Sequence, residues 1–509
     1  MELNTAPKGD RRVASIQEKR STEHDVQEGH VVDNADQLQR HLGNRQIQLI
    51  AVGGSIGTAL FVSIGGGLTS GGPGSLFIAY AIYCSLLATV NNSMAEMAVY
   101  MPVSGSFIRM AGKWVDESVL NIFAVKYYGE AEFWLSTGKV LLFLIVFCFT
   151  FITMVGGNPQ HDAFGFRTWN NPGAFAESIT TGALGRFEGF LGALWSAAFT
   201  IVGPEYLAMA AGETERPRTY LKNAYKTIYW RFAFFFIGGA LAVGIILPYN
   251  DPTLLNAGAG TAAASPYVIA MNNMGIDVLP HIVNALLVTS IFSAGNAYVY
   301  CAMRSLYGLA LEGQAPSFLK KCTKSGIPVY CFAVTMIFPF LSLLQVSNNT
   351  AQVVTWLANL TEAAQLIDYI IMSVTYLFFY RALKAQGFDR RTLPYRGWFQ
   401  PYCGWIGTVG MIVVVGCYGY TTFLPGYWDV GTFFSYYTMV FVAIVTYLGW
   451  KLLKRTKVVK PAEADLIWDK PVIDLYESLL ENNPPGFWAE IRQMIGLGKK
   501  RTNVLPNDS

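Results

Sequence analysis

Small residues interrupt an apolar segment that is long enough to cross a lipid bilayer. The segment covers residues 46–68 and carries Gly53, Gly54, Ser55 and Gly57 at its centre. Glycine weakens helices, so a helix that only had to cross the hydrocarbon would not concentrate glycines at its middle. A broken helix is useful where the freed backbone N–H and C=O groups face a ligand or a cavity. The segment therefore indicates a secondary transporter and marks where its substrate binds.

A second apolar segment, residues 194–211, is interrupted in a similar way. Gly203 and Pro204 are adjacent at its middle, and a proline removes a backbone donor and kinks a helix. On its own, this pattern is also typical of a plain proline kink. Two interrupted spans in corresponding positions of two halves, however, indicate a substrate site near the middle of the membrane, between inverted repeats.

The two breaks offer complementary groups for binding. We expect the N–H groups of residues 53–58 to lie at the start of a half-helix, where the helix dipole favours an anion such as an α-carboxylate. The carbonyls of residues 199–202 lie at the C-terminal end of a half-helix and suit an ammonium group. Together the two sites describe an amino acid. The hydroxyls of Ser55 and Thr58 are candidate donors, and Phe199 is either an aromatic gate or a packing residue.

Ionisable residues inside apolar spans are rare and mark functional sites. Lys139 lies about two turns into its span, and it either extends to the membrane interface or reaches the broken first span and takes part in proton coupling. Glu205 directly follows the second break and would need a partner if it were buried ionised. Glu362 and Asp368 share one span but are not spaced to share a tight helix face. Glu96, near the end of its span, is interpreted as structural.

Composition places the chain among polytopic membrane proteins. Of its residues 52% are hydrophobic and 14% are charged, whereas a soluble protein carries about 25% charged residues. The net charge of +3 gives no reason to expect a nucleic-acid partner. The cysteines are scattered, without metal-ligand or disulfide spacing. With no nucleophile–base motif either, the sequence predicts neither an enzyme nor a cofactor.

Hydropathy predicts an all-α membrane protein with ten spans. They cover residues 46–68, 76–99, 133–155, 189–211, 228–248, 281–303, 328–346, 352–380, 403–424 and 433–453. Lys and Arg fall almost entirely in alternate connections, so the positive-inside rule puts both termini in the cytosol. The predicted organisation is a cytosolic tail over residues 1–44, a transmembrane domain over 45–455 and a second cytosolic tail over 456–509. Residues 487–501 are either an amphipathic surface helix or part of a solvated tail.

Several motifs resemble the fungal amino-acid permeases of the amino acid–polyamine–organocation superfamily. They include QLIAVGGSIGTALFV, MAEMAVYMPVSGSF, YGEAEFW, AGETERPR, LPYNDP, AAASPYVIAM, FSAGNAYVYCAMRSLYGLALEG and LPYRGWFQPY. The stretches NPQHDAFGFRTWNNPGAF, GIPVYCF, LQVSN and LPGYWDVGTFF look most like the dicarboxylic amino-acid permease branch.

The resemblance implies a LeuT-type fold, with two inverted five-helix repeats and two further helices. It also implies proton-coupled import of amino acids across the plasma membrane, with acidic amino acids the leading substrate class and membrane lipids and cytosolic ubiquitin-ligase machinery as partners. The family's substrate positions fall on Gly53, Ser55, Ile56, Gly57 and Thr58, and on Phe199, Thr200, Ile201, Val202 and Gly203. Its coupling residues fall on Lys139 and Glu205. A non-transporting amino-acid sensor is the alternative function.

One departure from the family matters more than the others. The family has twelve spans, but after GKWVDES, which ends at Ser118, this sequence continues with a stretch that resembles the end of the family's fourth span. About fifty residues are missing, which is two spans of about 20 residues with their connection. The first repeat then keeps only its first, second and fifth members. A mis-joined gene model or a skipped exon is favoured over a natural ten-span variant, so an inactive truncated permease is a further alternative.

Overall fold

The computed structural model describes residues 40, 42–118, 132–256, 264–323, 326–346 and 351–480. Within these ranges, the regular structure is helical apart from two isolated β-bridges, Leu42–Thr214 and Cys322–Pro328. The predicted all-α architecture is therefore confirmed. The region proposed as a surface helix, residues 487–501, lies outside the described residues, as do residues 1–39 of the N-terminal tail.

The α-helices are numbered here in chain order. They are α1 Asn44–Ser55, α2 Ile64–Tyr100, α3 Ser106–Trp114, α4 Glu132–Met154, α5 Gly182–Thr200, α6 Pro204–Met209, α7 Pro217–Arg231, α8 Gly238–Ile246, α9 Pro252–Asn256, α10 Pro266–Asn273, α11 Leu279–Leu311, α12 Val329–Thr335, α13 Ala351–Ala385, α14 Tyr402–Cys417, α15 Val430–Lys454 and α16 Lys470–Ser478. A π-helical segment, Phe232–Ile237, joins α7 to α8.

Each of the ten predicted spans coincides with one helix or with two or three consecutive helical segments. Within the described ranges, the helices that are long and apolar enough to cross a membrane alone are Ile64–Tyr100, Pro217–Ile246, Leu279–Leu311, Trp356–Ala385 and Val430–Lys454. The other spans are shorter or interrupted. The interruptions are the feature on which a substrate site depends.

The predicted connection over residues 69–75 is a bend within α2 and not a separate loop. The bend lies at Gly72, whose φ of +75° is in the left-handed region that favours glycine. A Cβ atom at Gly72 would also lie only 2.8 Å from the backbone nitrogen of Ala176. Glycine is thus required twice over, and it lets the first and second spans follow each other directly.

Basic residues from alternate connections meet at one end of the bundle, which we call the basic face. Its ion pairs include Arg304–Glu213 at 2.6 Å, Arg109–Glu312 at 2.7 Å and Arg390–Glu96 at 2.6 Å. Burial raises the pKa of Glu312, but Arg109 and Lys113 outweigh burial and hold the pKa below its usual range. The pairs tie the ends of several helices to one another.

The segment 459–478, which we call the strap, packs across the basic face. The indole N–H of Trp114 donates to the backbone carbonyl of Asp465 at 2.9 Å, and the hydroxyl of Tyr100 donates to that of Leu466 at 3.0 Å. Leu466 itself is buried. The guanidinium carbon of Arg40 lies 5.0 Å from the ring centroid of Tyr476. The packed part of the chain therefore extends well into the predicted C-terminal tail.

Candidate functional site

The first break lies at Ile56 and Gly57. Helix α1 continues through Ser55, Ile56 has extended dihedral angles, and a short 3-10 turn starts at Thr58. Gly53 and Ser55 therefore end a half-helix, and their N–H groups lie inside it. The expectation that these residues expose N–H groups at a half-helix start was wrong, because the end of a helix leaves carbonyls free. Gly57 and Thr58 lie beyond the break.

The second break lies where the sequence placed it. Helix α5 ends at Thr200, and the N–H of Ile201 donates to the carbonyl of Ala197 at 2.9 Å. The chain then runs through Val202 and Gly203 before α6 begins at Pro204. The last carbonyls of α5 thus face the gap between the two half-helices, as an ammonium site requires.

The two breaks touch each other. A Cβ atom at Gly203 would lie 3.8 Å from Cβ of Ser55, and one at Gly54 would lie 2.5 Å from Cγ of Tyr206. Gly54 was not among the predicted site residues, although it stands in the glycine cluster that signalled the break. Its role is to let α6 approach the backbone of α1.

Most side chains of the predicted substrate set serve packing. Ile56, Ile201 and Val202 are buried. The hydroxyl of Ser55 donates to the carbonyl of Ala51 at 2.7 Å, within its own helix, and Thr200 accepts from the hydroxyl of Tyr80 at 3.1 Å. The groups that remain for a ligand are mainly those of the backbone, and backbone groups recognise the part shared by all amino acids.

Lys139 reaches the first break. Its side chain is completely buried in the bundle, and its ammonium group donates to the carbonyl oxygen of Gly53. Of the two interpretations of this lysine, extension to the membrane interface is wrong. Helix α4 packs against α1 and carries the charge to the free carbonyl at the end of the first half-helix.

Glu205 sits in the first turn of α6 and holds the second break. Its carboxylate accepts from the N–H of Gly203 at 3.2 Å, from the hydroxyl of Tyr369 at 3.0 Å and from the amide of Gln365 at 3.4 Å. The last two residues belong to α13. Glu205 thus connects the second break to a helix far away in the sequence.

The remaining acidic candidates lie in different surroundings. Glu96 is buried and accepts two bonds of 2.6 Å from Arg390, which makes it structural, as interpreted. Glu362 accepts from the hydroxyl of Tyr418 at 2.8 Å. Asp368 lies on α13, the helix that carries the Gln365 and Tyr369 partners of Glu205.

Apolar side chains beside the site are exposed. Phe199 is 38% exposed at the end of α5, and Phe292 on α11 is 64% exposed. No atom lies within 4 Å of the position of a Cβ on Gly295 in the same helix, and Ala294 is the neighbour closest to Gly57. The described ranges do not contain three or more His, Cys, Asp or Glu side chains placed to hold a metal ion.

Comparisons with known proteins identify a family. The amino acid permease family profile matches residues 46–119 and 118–462. The general amino acid permease AGP2 of Saccharomyces cerevisiae is 40% identical over 514 aligned positions, covering 89% of this chain and 86% of that protein. A proline-specific permease of the same yeast is 34% identical, over 82% and 76% of the two chains. The dicarboxylic amino acid permease of Saccharomyces cerevisiae is 32% identical, over 87% of this chain and 82% of that protein.

Among solved structures, a manganese transporter of Eremococcus coleocola shares 11% sequence identity with this chain. The superposition covers 89% of this chain and 100% of that one, with a TM-score of 0.45. So loose an overlap assigns the position of no individual helix or site residue.

Proposed function

Because the chain belongs to the amino acid permease family, and so is a membrane transport protein for amino acids and not an enzyme, we propose that it imports its substrate together with protons across the plasma membrane. The observation that carries the proposal is that each break is held by an ionisable side chain. Lys139 binds the carbonyl of Gly53, and Glu205 binds the N–H of Gly203. The proposed substrate contacts lie between these two residues.

In the proposed mechanism, the backbone holds both ends of the amino acid. The carbonyls that end α5 accept the ammonium group, and the N–H groups from Gly57 onward donate to the carboxylate. Both half-helix ends carry partial charges of the required sign. Alternating access then follows from movement of the interrupted helices around the bound substrate.

Proton coupling follows from the chemistry of the two holding residues. A protonated Lys139 makes a charge-assisted hydrogen bond to Gly53, and that bond weakens when the ammonium loses its proton. An ionised Glu205 accepts from Gly203, Gln365 and Tyr369, and protonation takes away part of that accepting capacity. The two proton-binding groups therefore control the geometry of the breaks from opposite sides.

Acidic amino acids are the proposed leading substrate class, on the strength of the motifs shared with the dicarboxylic branch. Lys139 is the described cation that lies at a break, and a second substrate carboxylate needs such a partner. The relatives include permeases named for general, proline and dicarboxylic transport, so the assay must compare side chains. We expect aspartate and glutamate to compete for uptake. Inhibition by leucine or lysine without inhibition by aspartate would reject the acidic class.

We further propose that two spans of the family are absent after Ser118. Three observations support this: the family profile matches in two parts that meet at residues 118–119, the yeast general permease aligns over more positions than this chain has residues, and apolar side chains of α11 beside the site are exposed. An inactive truncated permease is therefore the second candidate function. Sequencing the transcript across the codons for residues 118–121 distinguishes a mis-joined gene model or a skipped exon from a natural variant.

Radiolabelled uptake against a pH gradient tests the transport proposal. The comparison uses the chain as given and a restored form, in which the two family spans are inserted after Ser118. Accumulation by the restored form that collapses when the proton gradient is removed is the expected result. Substrate binding without uptake by either form would instead identify a sensor.

A further inference from the structure

The chain before α1 and the chain after α6 are joined at the basic face. The N–H of Leu42 donates to the carbonyl of Glu213 at 2.9 Å, and the N–H of Glu215 donates to the carbonyl of Leu42 at 3.0 Å. We call these two hydrogen bonds the gate bridge. Helix α1 ends at the first break and α6 begins after the second, so the bridge joins the ends of the two helices that lie away from the breaks. Any opening of the site between these ends has to separate the bridge.

Arg40 fastens the gate bridge. Its side chain is buried, and its two terminal nitrogens donate to the carbonyls of Thr214 and Pro102, each at 3.2 Å. Thr214 lies within the bridge itself. In addition, the carboxylate of Glu213 accepts from Arg304 of α11 at 2.8 Å. Side chains as well as backbone groups therefore hold the chain before α1 to the chain after α6.

The strap contacts Arg40 through an aromatic ring. The ring belongs to Tyr476 on α16, and its centroid lies 5.0 Å from the guanidinium carbon of Arg40. Two acidic residues beside Tyr476 bind the start of α7. Asp474 pairs with Arg218 at 2.6 Å, and Glu477 accepts from the backbone N–H of Arg218 at 3.1 Å. Helix α16 thus contacts both the fastening of the gate bridge and the start of α7.

The rest of the strap is anchored on α3, a helix that carries neither break. Asp469 pairs with Arg109 at 3.4 Å, and the guanidinium carbon of Arg109 lies 4.5 Å from the ring centroid of Trp468. Where the strap begins, the N–H of Val459 donates to the carbonyl of Val115, directly after α3, at 2.9 Å. The strap therefore connects Arg40 to a part of the bundle outside the interrupted helices.

The contacts of the strap are suited to release. Their charges are complementary, with carboxylates on the strap and arginines on the bundle. The side chain of Asp474 is 40% exposed, and ion pairs that face water are weakened by salt and contribute little each. A cation–π contact is also weak unless it is shielded from water. The strap can therefore leave the basic face while the bundle stays folded.

We propose that the strap is an autoinhibitory lock on the gate bridge. When it is docked, Tyr476 holds Arg40 in place and the ends of α1 and α6 stay together. When it is released, these ends can separate, and the site opens toward the side that the positive-inside rule places in the cytosol. The inference rests on the proposed function, because alternating access requires such an opening. It adds a control of the opening by the chain that follows the last span.

Hydrogen exchange of the full chain, purified in detergent, tests the lock without any transport. The reporters are the amides of Leu42 and Glu215, which form the gate bridge, at one fixed pH. Tyr476→Ala should make both amides exchange about two- to fivefold faster, the effect of losing one cation–π contact. Glu463→Gln is the control, because Glu463 pairs with Lys460 in the exposed part of the strap, and it should leave both amides unchanged.

A matched pair of shortened chains removes the whole strap. One chain ends after Val458 and lacks the strap, and the other ends after Leu480 and keeps it, so both lack residues 481–509. Only the chain that ends after Val458 should lose protection at the gate bridge, and a synthetic peptide of residues 459–480 should restore that protection. If this chain does not yield folded protein, the result for Tyr476→Ala decides.

Unchanged exchange in Tyr476→Ala, or equal exchange in the two shortened chains, would overturn the lock. In the restored form, the version without the strap should also take up substrate faster than the version that keeps it. Equal uptake by two active versions would overturn an autoinhibitory role. Loss of protection at the gate bridge in a protein that transports nothing would uphold the lock and reject import alone, so the two proposals fail separately.

Discussion

The aromatic ring of Tyr206 lies where a side chain on Gly54 would have to be. A Cβ atom on Gly54 would be 2.5 Å from Cγ and 2.6 Å from Cδ1 of that ring, and Tyr206 is itself buried. The close approach of α1 to α6 therefore depends on a hydrogen atom at position 54.

Gly54→Ala should separate the two breaks and destabilise the protein. Overpacking of this kind typically costs about 1–3 kcal/mol. Thermal unfolding of the purified protein in detergent measures the effect. Gly57→Ala is the control, because its nearest neighbour, Cβ of Ala294, would be at an ordinary 3.8 Å. Equal stability of the two variants would show that the ring does not limit the approach of the helices.

Lys139→Ala should impair proton-driven accumulation more than counterflow exchange in the restored form. The reason is that its ammonium group binds the free carbonyl of Gly53 and is the cation at the first break. Lys222→Ala is a suitable control, since Lys222 also donates to a backbone carbonyl, that of Pro394 at 3.1 Å, but on the basic face. Equal loss of both activities in Lys139→Ala would leave this lysine without a role in coupling.

Gly57→Leu should abolish substrate binding in the restored form. A leucine would fill the space beyond the first break, where the carboxylate of the substrate is proposed to bind, and would favour a continuous helix. Binding is measured with radiolabelled substrate on purified protein. Affinity equal to that of the wild type would contradict the assignment of the carboxylate position.

The chain as given should be retained in the endoplasmic reticulum, and the restored form should reach the plasma membrane. The reason is that the absence of the two spans would leave the polar backbone of the interrupted first span without its neighbour, and each unsatisfied group in hydrocarbon costs several kcal/mol. Fluorescent fusions of the two forms show their locations directly. Surface localisation of the chain as given, with proton-dependent uptake, would establish it as a genuine ten-span variant.

The strap should loosen in acid. Burial raises the pKa of Asp474, but bonds from Lys470 and Arg218 outweigh it and place the pKa below its usual range. A depressed folded-state pKa gives stability that is present above the unfolded value of about 3.9 and is lost as the pH falls through the folded value. The Arg218–Asp474 pair is partly exposed, so it contributes at most about 1 kcal/mol to the stability of the strap.

The protection of amides around Ile473 against hydrogen exchange, relative to an unfolded chain at the same pH, measures this loosening between pH 7 and pH 3. Asp474→Asn should reproduce part of it at neutral pH. Glu463→Gln is the control, because Glu463 pairs with Lys460 in the exposed part of the strap. Protection that does not change with pH, or that changes equally in both variants, would contradict an anchoring role for Asp474.

Local sequence signals located the breaks but not their partners. Glycine and proline disrupt helices wherever they stand, so Gly57 and Gly203–Pro204 could be read directly from the chain. The direction of the groups at the first break could not, because a glycine cluster marks a break without showing on which side of it the helix ends. The partners of Glu205 come from α13, and no local pattern connects residues so far apart.

The strap was missed for a related reason. Leu466 and Ile473 are isolated apolar residues in a polar stretch, and periodicity detects an amphipathic face only when several such residues repeat. Their burial depends on Tyr100, Trp114 and the basic face, which come together only after the bundle has assembled.

The contact between Arg40 and Tyr476 brings the two ends of the described chain to the same corner of the protein. The lysines of both flanking sequences, Lys19 and Lys499 among them, are therefore attached to neighbouring points. If the tails are substrates of a ubiquitin ligase, one recruited ligase could modify both without changing its docking point. In the restored form, deleting the lysines of a single tail would then slow endocytosis only in part, and removal from the cell surface would stop only when both tails were changed.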